Sequence, residues 1–209
     1  MVGPGLEYRV VRGGAADCSR VESFLRRVFY PREPLCAALG FTAGPADAAD
    51  MPALDDLRDG WSLLAERRQD GALVAACICA LLQPDEGGGA AGHRRQFGDE
   101  RMAEIWRVVG VAHAAAGLEG RRALDVSVLA VDPSLRGAGL GLELLRRAAD
   151  VGREAGAPLL TVVCTSAYSA RLAQKLGMRC LHSLPYQQSG LAHLPQEPHT
   201  HVHVYALDL

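Results

Sequence analysis

Apolar positions along the chain switch between two periods, and the switches predict its elements. Residues 6–12 alternate weakly between polar and apolar, the period of a half-buried strand. From Ala15-Ala16-Asp17 onward, Val21, Phe24, Leu25 and Val28 recur three and four residues apart, so one face of a helix is apolar. Pro31 and Pro34 end that helix, since proline lacks the donor that would continue it. A short helix follows through Leu35 and Leu39 to Gly40, and residues 42–50, rich in Ala, Gly and Asp, read as loop. Residues 62–66 and 72–82 read as two strands joined around Gln69-Asp70-Gly71, a hairpin signal. Residues 84–98, with Gly87-Gly88-Gly89, read as a mobile loop, and a helix from about Glu100 carries Met102, Ile105, Trp106 and Val109 on one side.

The C-terminal half is more regular. A strand over 123–131 ends at Asp132-Pro133, and Leu140, Leu144, Ala148 and Val151 mark a helix stopping near Gly156. Residues 158–164 read as a buried central strand. Residues 166–176 are helical with Gly177 as the cap, and 180–186 and 201–207 are the last strands. The order predicts a mixed α/β chain with a βαβαβ core, no internal repeat and one domain over residues 1–209.

Composition narrows the function. With 209 residues, 49% hydrophobic and 22% charged, the chain can bury one sizeable core. Acids outnumber bases 24 to 22, so no basic stripe for nucleic acid or an anionic membrane is expected. Lys175 is the only lysine, which removes a P-loop and leaves a single candidate for Schiff-base chemistry. Gly-x-Ser-x-Gly, His-Glu-x-x-His and Cys-x-x-Cys are all missing. The longest apolar run, 72–82, is too short to cross a bilayer, and the first five residues carry no signal-peptide pattern, so the expectation is a cytoplasmic protein. The six cysteines (Cys18, Cys36, Cys77, Cys79, Cys164, Cys180) sit in apolar contexts and are expected as core thiols.

The most informative stretch runs from Val128 through Arg136-Gly-Ala-Gly139-Leu-Gly141, where a strand ends, a turn follows and a helix starts. Backbone N–H groups at a helix start lack intrahelical partners, and the dipole there favours negative charge. Gly137, Gly139 and Gly141 let a phosphate lie against the backbone, and Arg136 adds a fork of donors. A dinucleotide fingerprint does not fit: its third glycine comes one residue early, and Leu142 holds the place. A bland glycine turn packing a helix against a sheet stays open on these residues alone.

Arg136-x-x-Gly139-x-Gly141 after Val126-x-x-Leu129-Ala-Val131 is similar to the acetyl-CoA signature of the GNAT N-acetyltransferase superfamily. Ser166-Ala-Tyr-Ser169 through Gly177-Met178 resembles that family's second signature helix. Phe29-Tyr-Pro-Arg-Glu33-Pro-Leu and Pro198-His-Thr-His201 resemble segments of insect-type arylalkylamine N-acetyltransferases. The resemblance spans nearly the whole chain. It implies a splayed mixed sheet flanked by helices, with acetyl-CoA as cosubstrate and no metal. The pantetheine arm would lie along Leu129, Ala130 and Val131. The pyrophosphate would meet the backbone of Arg136, Gly137, Ala138, Gly139, Leu140 and Gly141. The implied partners are acetyl-CoA and a small-molecule amine. The amine is expected to be an arylalkylamine, with a polyamine, agmatine or an amino acid as the alternative acceptor, and a degenerate acyl-CoA-binding module as the alternative to an enzyme. The expected assembly is a monomer or weak homodimer.

An alkylammonium must lose a proton before it can attack a thioester. Glu33, which matches the family's glutamate, is the implied base; otherwise it is a helix-start residue stabilised by the dipole. Thr165 or Ser166 is expected to cap the next helix. The catalytic candidates are therefore Glu33, Ser166 and Ser169, with Ser169 the better hydroxyl for the CoA sulfur. Ala173 stands where many members place a tyrosine acid, so that acid is not available here. His199, His201 and His203 alternate as if on one strand face, read as a partly exposed face rather than a metal site. His113 reads as structural, and no argument reaches His93. Phe29, Tyr30, Trp61, Trp106 and Tyr186 read as core, with Tyr30 and Tyr186 as candidates to line an aryl pocket.

Overall fold

A computed structural model of the protein describes residues 7–44, 51–84 and 97–209. The expected loop over 84–98, His93 included, lies mostly outside the described residues.

Strands β1 (Tyr8–Gly13), β2 (Ser62–Arg67), β3 (Leu73–Leu82), β4 (Ala123–Val131), β5 (Leu159–Cys164), β6 (Arg179–Pro185) and β7 (His201–Asp208) form one sheet in the order β1-β2-β3-β4-β5-β7-β6. Every neighbouring pair is antiparallel except β4 and β5, which are parallel. A parallel pair needs a crossover, supplied by α5 (Leu140–Glu154). The expected hairpin forms: Asp70 accepts from Ala72 N–H, and Gly71 N–H returns to the Arg67 carbonyl.

The sheet separates two apolar cores. On one side pack α1 (Cys18–Val28), α2 (Pro34–Leu39), α3 (Ala53–Arg58) and α4 (Glu100–Ala115), which contribute Phe24, Leu35, Leu57 and Ile105. On the other, α5 and α6 (Ala167–Leu176) bury Leu144, Leu145 and Ala173 against Leu124 and Val126. Strand alternation sorts β4 between them, with Ala123, Val128 and Ala130 facing the first core.

Two irregularities open the sheet at its centre. Between β3 and β4 the register moves from Ile78↔Val128 to Cys79↔Val126, leaving Ser127 as the extra residue of a bulge. Its Oγ donates to the Ile78 carbonyl at 3.3 Å. The β4–β5 ladder holds only at Leu124↔Leu160, Asp125↔Thr161 and Val126↔Val162. Beyond Val126 the two strands part, as the resemblance implied.

Several expectations are corrected. Helix α3 fills a stretch to which the pattern gave no element. Cys180 is exposed and Cys18 half-buried, so only Cys36, Cys77, Cys79 and Cys164 are core thiols. The cause for Cys180 is its place on β6, which forms the sheet edge. His199 precedes β7 rather than lying on it, and only His201 and His203 stack on the strand, 5.4 Å apart. Among the described residues, no helix is long and apolar enough to cross a membrane.

Candidate active site

The parting of β4 and β5 opens into a cavity of about 950 Å³. One arm follows the free edge of β4 to the turn before α5, and the other runs under α2 and α4.

The first arm is built from backbone. Asp132 accepts from Ser134 N–H and Ser134 Oγ at 3.1 and 2.7 Å, and from Arg27 at 3.0 Å. Burial pushes its carboxyl up, but those hydrogen bonds and Arg27 outweigh it and hold the pKa below the usual range. Gly137 and Gly139 sit at φ +85° and +82°, a region L side chains rarely adopt. Gly139 is the N-cap of α5 with no side-chain cap, so the N–H groups of Leu140, Gly141 and Leu142 have no partner inside the helix. A Cβ on Gly141 would come within 3.1 Å of Leu172 Cδ1, so that glycine keeps α5 close to α6. Leu129, Ala130, Val131, Arg136, Gly137, Gly139, Leu140 and Gly141 all line the cavity. Ala138 does not: it is exposed, and its N–H is spent on the Leu135 carbonyl. Unpaired strand edge, positive-φ glycines and free helix-start donors together suit a pantetheine diphosphate.

The second arm is apolar with a few polar groups. Glu33 is the N-cap of α2; its Oε2 accepts from Cys36 N–H at 2.6 Å. The residue is 8% exposed, and its Oε1 is buried with no hydrogen-bond partner among the described residues. The capping role and the cavity-lining position therefore coexist, one for each carboxylate oxygen. Around it stand Phe29, Tyr30, Met102, Ile105, Trp106 and Val109. Phe29 and Trp106, expected in the core, line the cavity here. Tyr30 packs edge-on to Phe29 and Phe41, and burial pushes its phenol well up, so it stays protonated. Tyr186 does not line the cavity. Its hydroxyl donates to the Thr165 carbonyl at 2.6 Å, bracing the turn into α6.

At that turn Ser166 caps α6, its Oγ accepting from Ser169 N–H at 3.0 Å. Ser169 Oγ donates to the Ser166 carbonyl at 2.9 Å and lies 2.9 Å from Ser166 Oγ. Both serines line the cavity. His199, which the pattern placed on a strand face, lines it too, and its Nδ1 accepts from Ala167 N–H at 3.1 Å. Burial lowers its pKa, with Glu33 pulling the other way. The ring is then neutral, with its proton on Nε2. Ala173 is fully buried and supplies no hydroxyl. Cys36 also lines the cavity, but burial first and Glu33 second push its thiol far above its usual range. A thiolate nucleophile there is disfavoured. Among the described residues, no group of His, Cys, Asp and Glu is arranged to hold a metal ion.

The acetyltransferase (GNAT) family model matches residues 35–178. The chain belongs to this family. Its cosubstrate is acetyl-CoA, which fits the first arm. The acetyltransferase is similar over 97% of its length to all of a Drosophila melanogaster polyamine N-acetyltransferase that forms N-acetylagmatine, at 29% identity and TM-score 0.81. An agmatine N-acetyltransferase, a point mutant in its apo form, matches at 28% identity and TM-score 0.82, covering 97% of this chain and 99% of that one. A mosquito arylalkylamine N-acetyltransferase-like protein shares the fold at 23% identity and TM-score 0.83, with 97% and 100% covered.

Proposed function

We propose that the protein transfers acetyl from acetyl-CoA to a primary amine with an apolar, arylalkyl body, by direct attack while both substrates are bound. The observation that carries this reading is the buried Oε1 of Glu33, without a partner among the described residues, in a cavity walled by Tyr30, Phe29, Trp106, Met102 and Ile105. A carboxylate oxygen without a partner in an apolar wall is poised to accept a proton from an ammonium. Acetyl-CoA supplies the thioester. The edge of β4 beyond Val126 offers backbone N–H donors to its carbonyl oxygen, which gains negative charge as the amine attacks. Ser169, a hydroxyl on the cavity, is assigned in this reading to meet the departing sulfur, turning its proton from the Ser166 carbonyl to do so, in the role Ala173 cannot fill. No acyl-enzyme is needed, since Cys36, the one cysteine on the cavity among the described residues, is held as a thiol.

A second reading makes agmatine or a polyamine the acceptor. It is favoured by the 29% and 28% identity to enzymes of that kind. Free-thiol release over a panel of tyramine, tryptamine, agmatine and spermidine tests both. The first reading expects the highest kcat/KM with the aryl amines, and the second expects it with agmatine or spermidine. Tight CoA binding without release of thiol by any amine would overturn both and leave a binding module.

A further inference from the structure

We propose that Asp125 is the anion that receives the acceptor's ammonium group at the apex of the splay, while Glu33 takes the proton. This rests on the amine-acceptor reading and deepens it. Asp125 lies one residue before the β4–β5 ladder ends, so its carboxyl sits where the free strand edge begins. The residue is only 2% exposed, yet it lines the cavity. Strand alternation points it to the face that carries α4. That helix lines the cavity with Met102, Ile105, Trp106 and Val109, and His113 is next on the same stripe.

The pairing of this carboxyl is incomplete. Thr161 Oγ1 donates to Oδ1 at 2.6 Å, and Oδ2 accepts no hydrogen bond among the described residues. His113 is fully buried behind it, within electrostatic reach, but neither of its ring nitrogens has a hydrogen-bond partner there. Burial pushes the Asp125 pKa up, His113 and Thr161 pull it back, and the buried carboxyl of Asp56 adds a smaller upward push. A buried carboxylate with one hydroxyl donor is under-paired, and a cation brought beside it gains a strong, poorly screened partner. The described side chains lining the cavity do not supply that cation. Arg32 is bonded to the Arg27 carbonyl, Arg136 stands in the turn before α5, and Arg171 and Lys175 stand on α6. Two carboxyls therefore divide the work: Glu33, fixed by its cap, accepts a proton, and Asp125 holds the charge before it is lost.

The test is calorimetric titration of the CoA-loaded protein with tyramine, with tyrosol as its neutral isostere, and with agmatine. It compares wild type, Asp125→Asn and Glu33→Gln. Asp125→Asn keeps an acceptor for Thr161 and removes the charge; Asp125→Ser serves if the asparagine does not fold. The expected result is that Asp125→Asn weakens amine binding about tenfold or more, the equivalent of one lost charge pairing, and leaves tyrosol and CoA affinity unchanged. Glu33→Gln should keep most of the preference for the amine. Equal amine affinity in wild type and Asp125→Asn overturns the inference. A wild type that binds an amine and does not acetylate it overturns the proposed function while the Asp125 comparison still stands. Binding of neither amine overturns both.

Discussion

Replacing Glu33 separates its two roles, because its two oxygens do different things. Oε2 caps α2 through Cys36 N–H, and Oε1 stands in the cavity. Glu33→Gln retains an oxygen for the cap and cannot accept a proton. Glu33→Ala removes both. Loss of a general base costs about 10²–10⁴ in rate, or about 3–5 kcal/mol of barrier. Loss of an N-cap costs about 1 kcal/mol of stability, which lowers Tm by about 2–4 °C in a chain of this size. Both variants should therefore lose turnover to the same extent, and only the alanine should also lose Tm. The assay is thiol release with a primary amine against pH, beside thermal unfolding. Raising the pH delivers more of the amine already neutral, so the deficit of Glu33→Gln should shrink as the solution becomes alkaline. An acetyl-CoA KM like wild type is expected throughout. Wild-type turnover in Glu33→Gln at neutral pH, or a deficit equal at every pH, refutes the reasoning.

Three further predictions rest on the same structure. Gly139→Ala places a side chain at φ +82°. The space is open, so the cost is conformational, about 1–2 kcal/mol, and should appear as a raised acetyl-CoA KM and a lowered Tm. Ser166→Ala removes the α6 cap and should lower stability by about 1 kcal/mol on denaturant unfolding. Glu66, buried on β2 and bonded to Arg9 at 2.8 Å and Arg20 at 2.6 Å, ties α1 to the sheet. Burial pushes its carboxyl up, yet the two arginines outweigh that and hold its pKa below 4.5. A depressed carboxyl stabilises the fold fully above its unfolded pKa and ceases to do so as pH falls through the lowered folded value. Glu66→Gln should therefore lose Tm near neutrality and show a flatter Tm profile below pH 4.5 than wild type; parallel profiles refute it.

Local signals carried most of the fold. The turn before α5 was legible because a strand, Asp132-Pro133-Ser134 and spaced glycines act within a few residues of one another. Helix α1 was legible because its apolar stripe repeats over three turns. Helix α3 was not, since Ala-Leu-Asp-Asp-Leu-Arg is too short to establish a period and its burial comes from packing against β3. Glu33 was reached by resemblance and read otherwise as a helix-start residue; the hydrogen bond by which it caps α2 came only from the structure. Tyr186 is in the core, as its aromatic character suggested, but its bracing of the α6 turn was not legible, nor was the place of His199 on the cavity, for one reason. Each is set by a bond to a distant backbone group, Thr165 O or Ala167 N, that no neighbouring residue announces. Asp125 drew no attention because an acid inside an alternating strand reads as the solvent-facing position. Only the two cores, one on each side of the sheet, show that both faces of β4 are covered.

The most direct measurement is a crystal structure of the protein with CoA bound. The expected result is the pyrophosphate on the N–H groups of Gly137, Gly139, Leu140, Gly141 and Leu142, and the pantetheine arm in the gap beyond Val126 and Val162, its sulfur near Ser169. CoA bound elsewhere, or a gap closed by continued β4–β5 pairing, would contradict it.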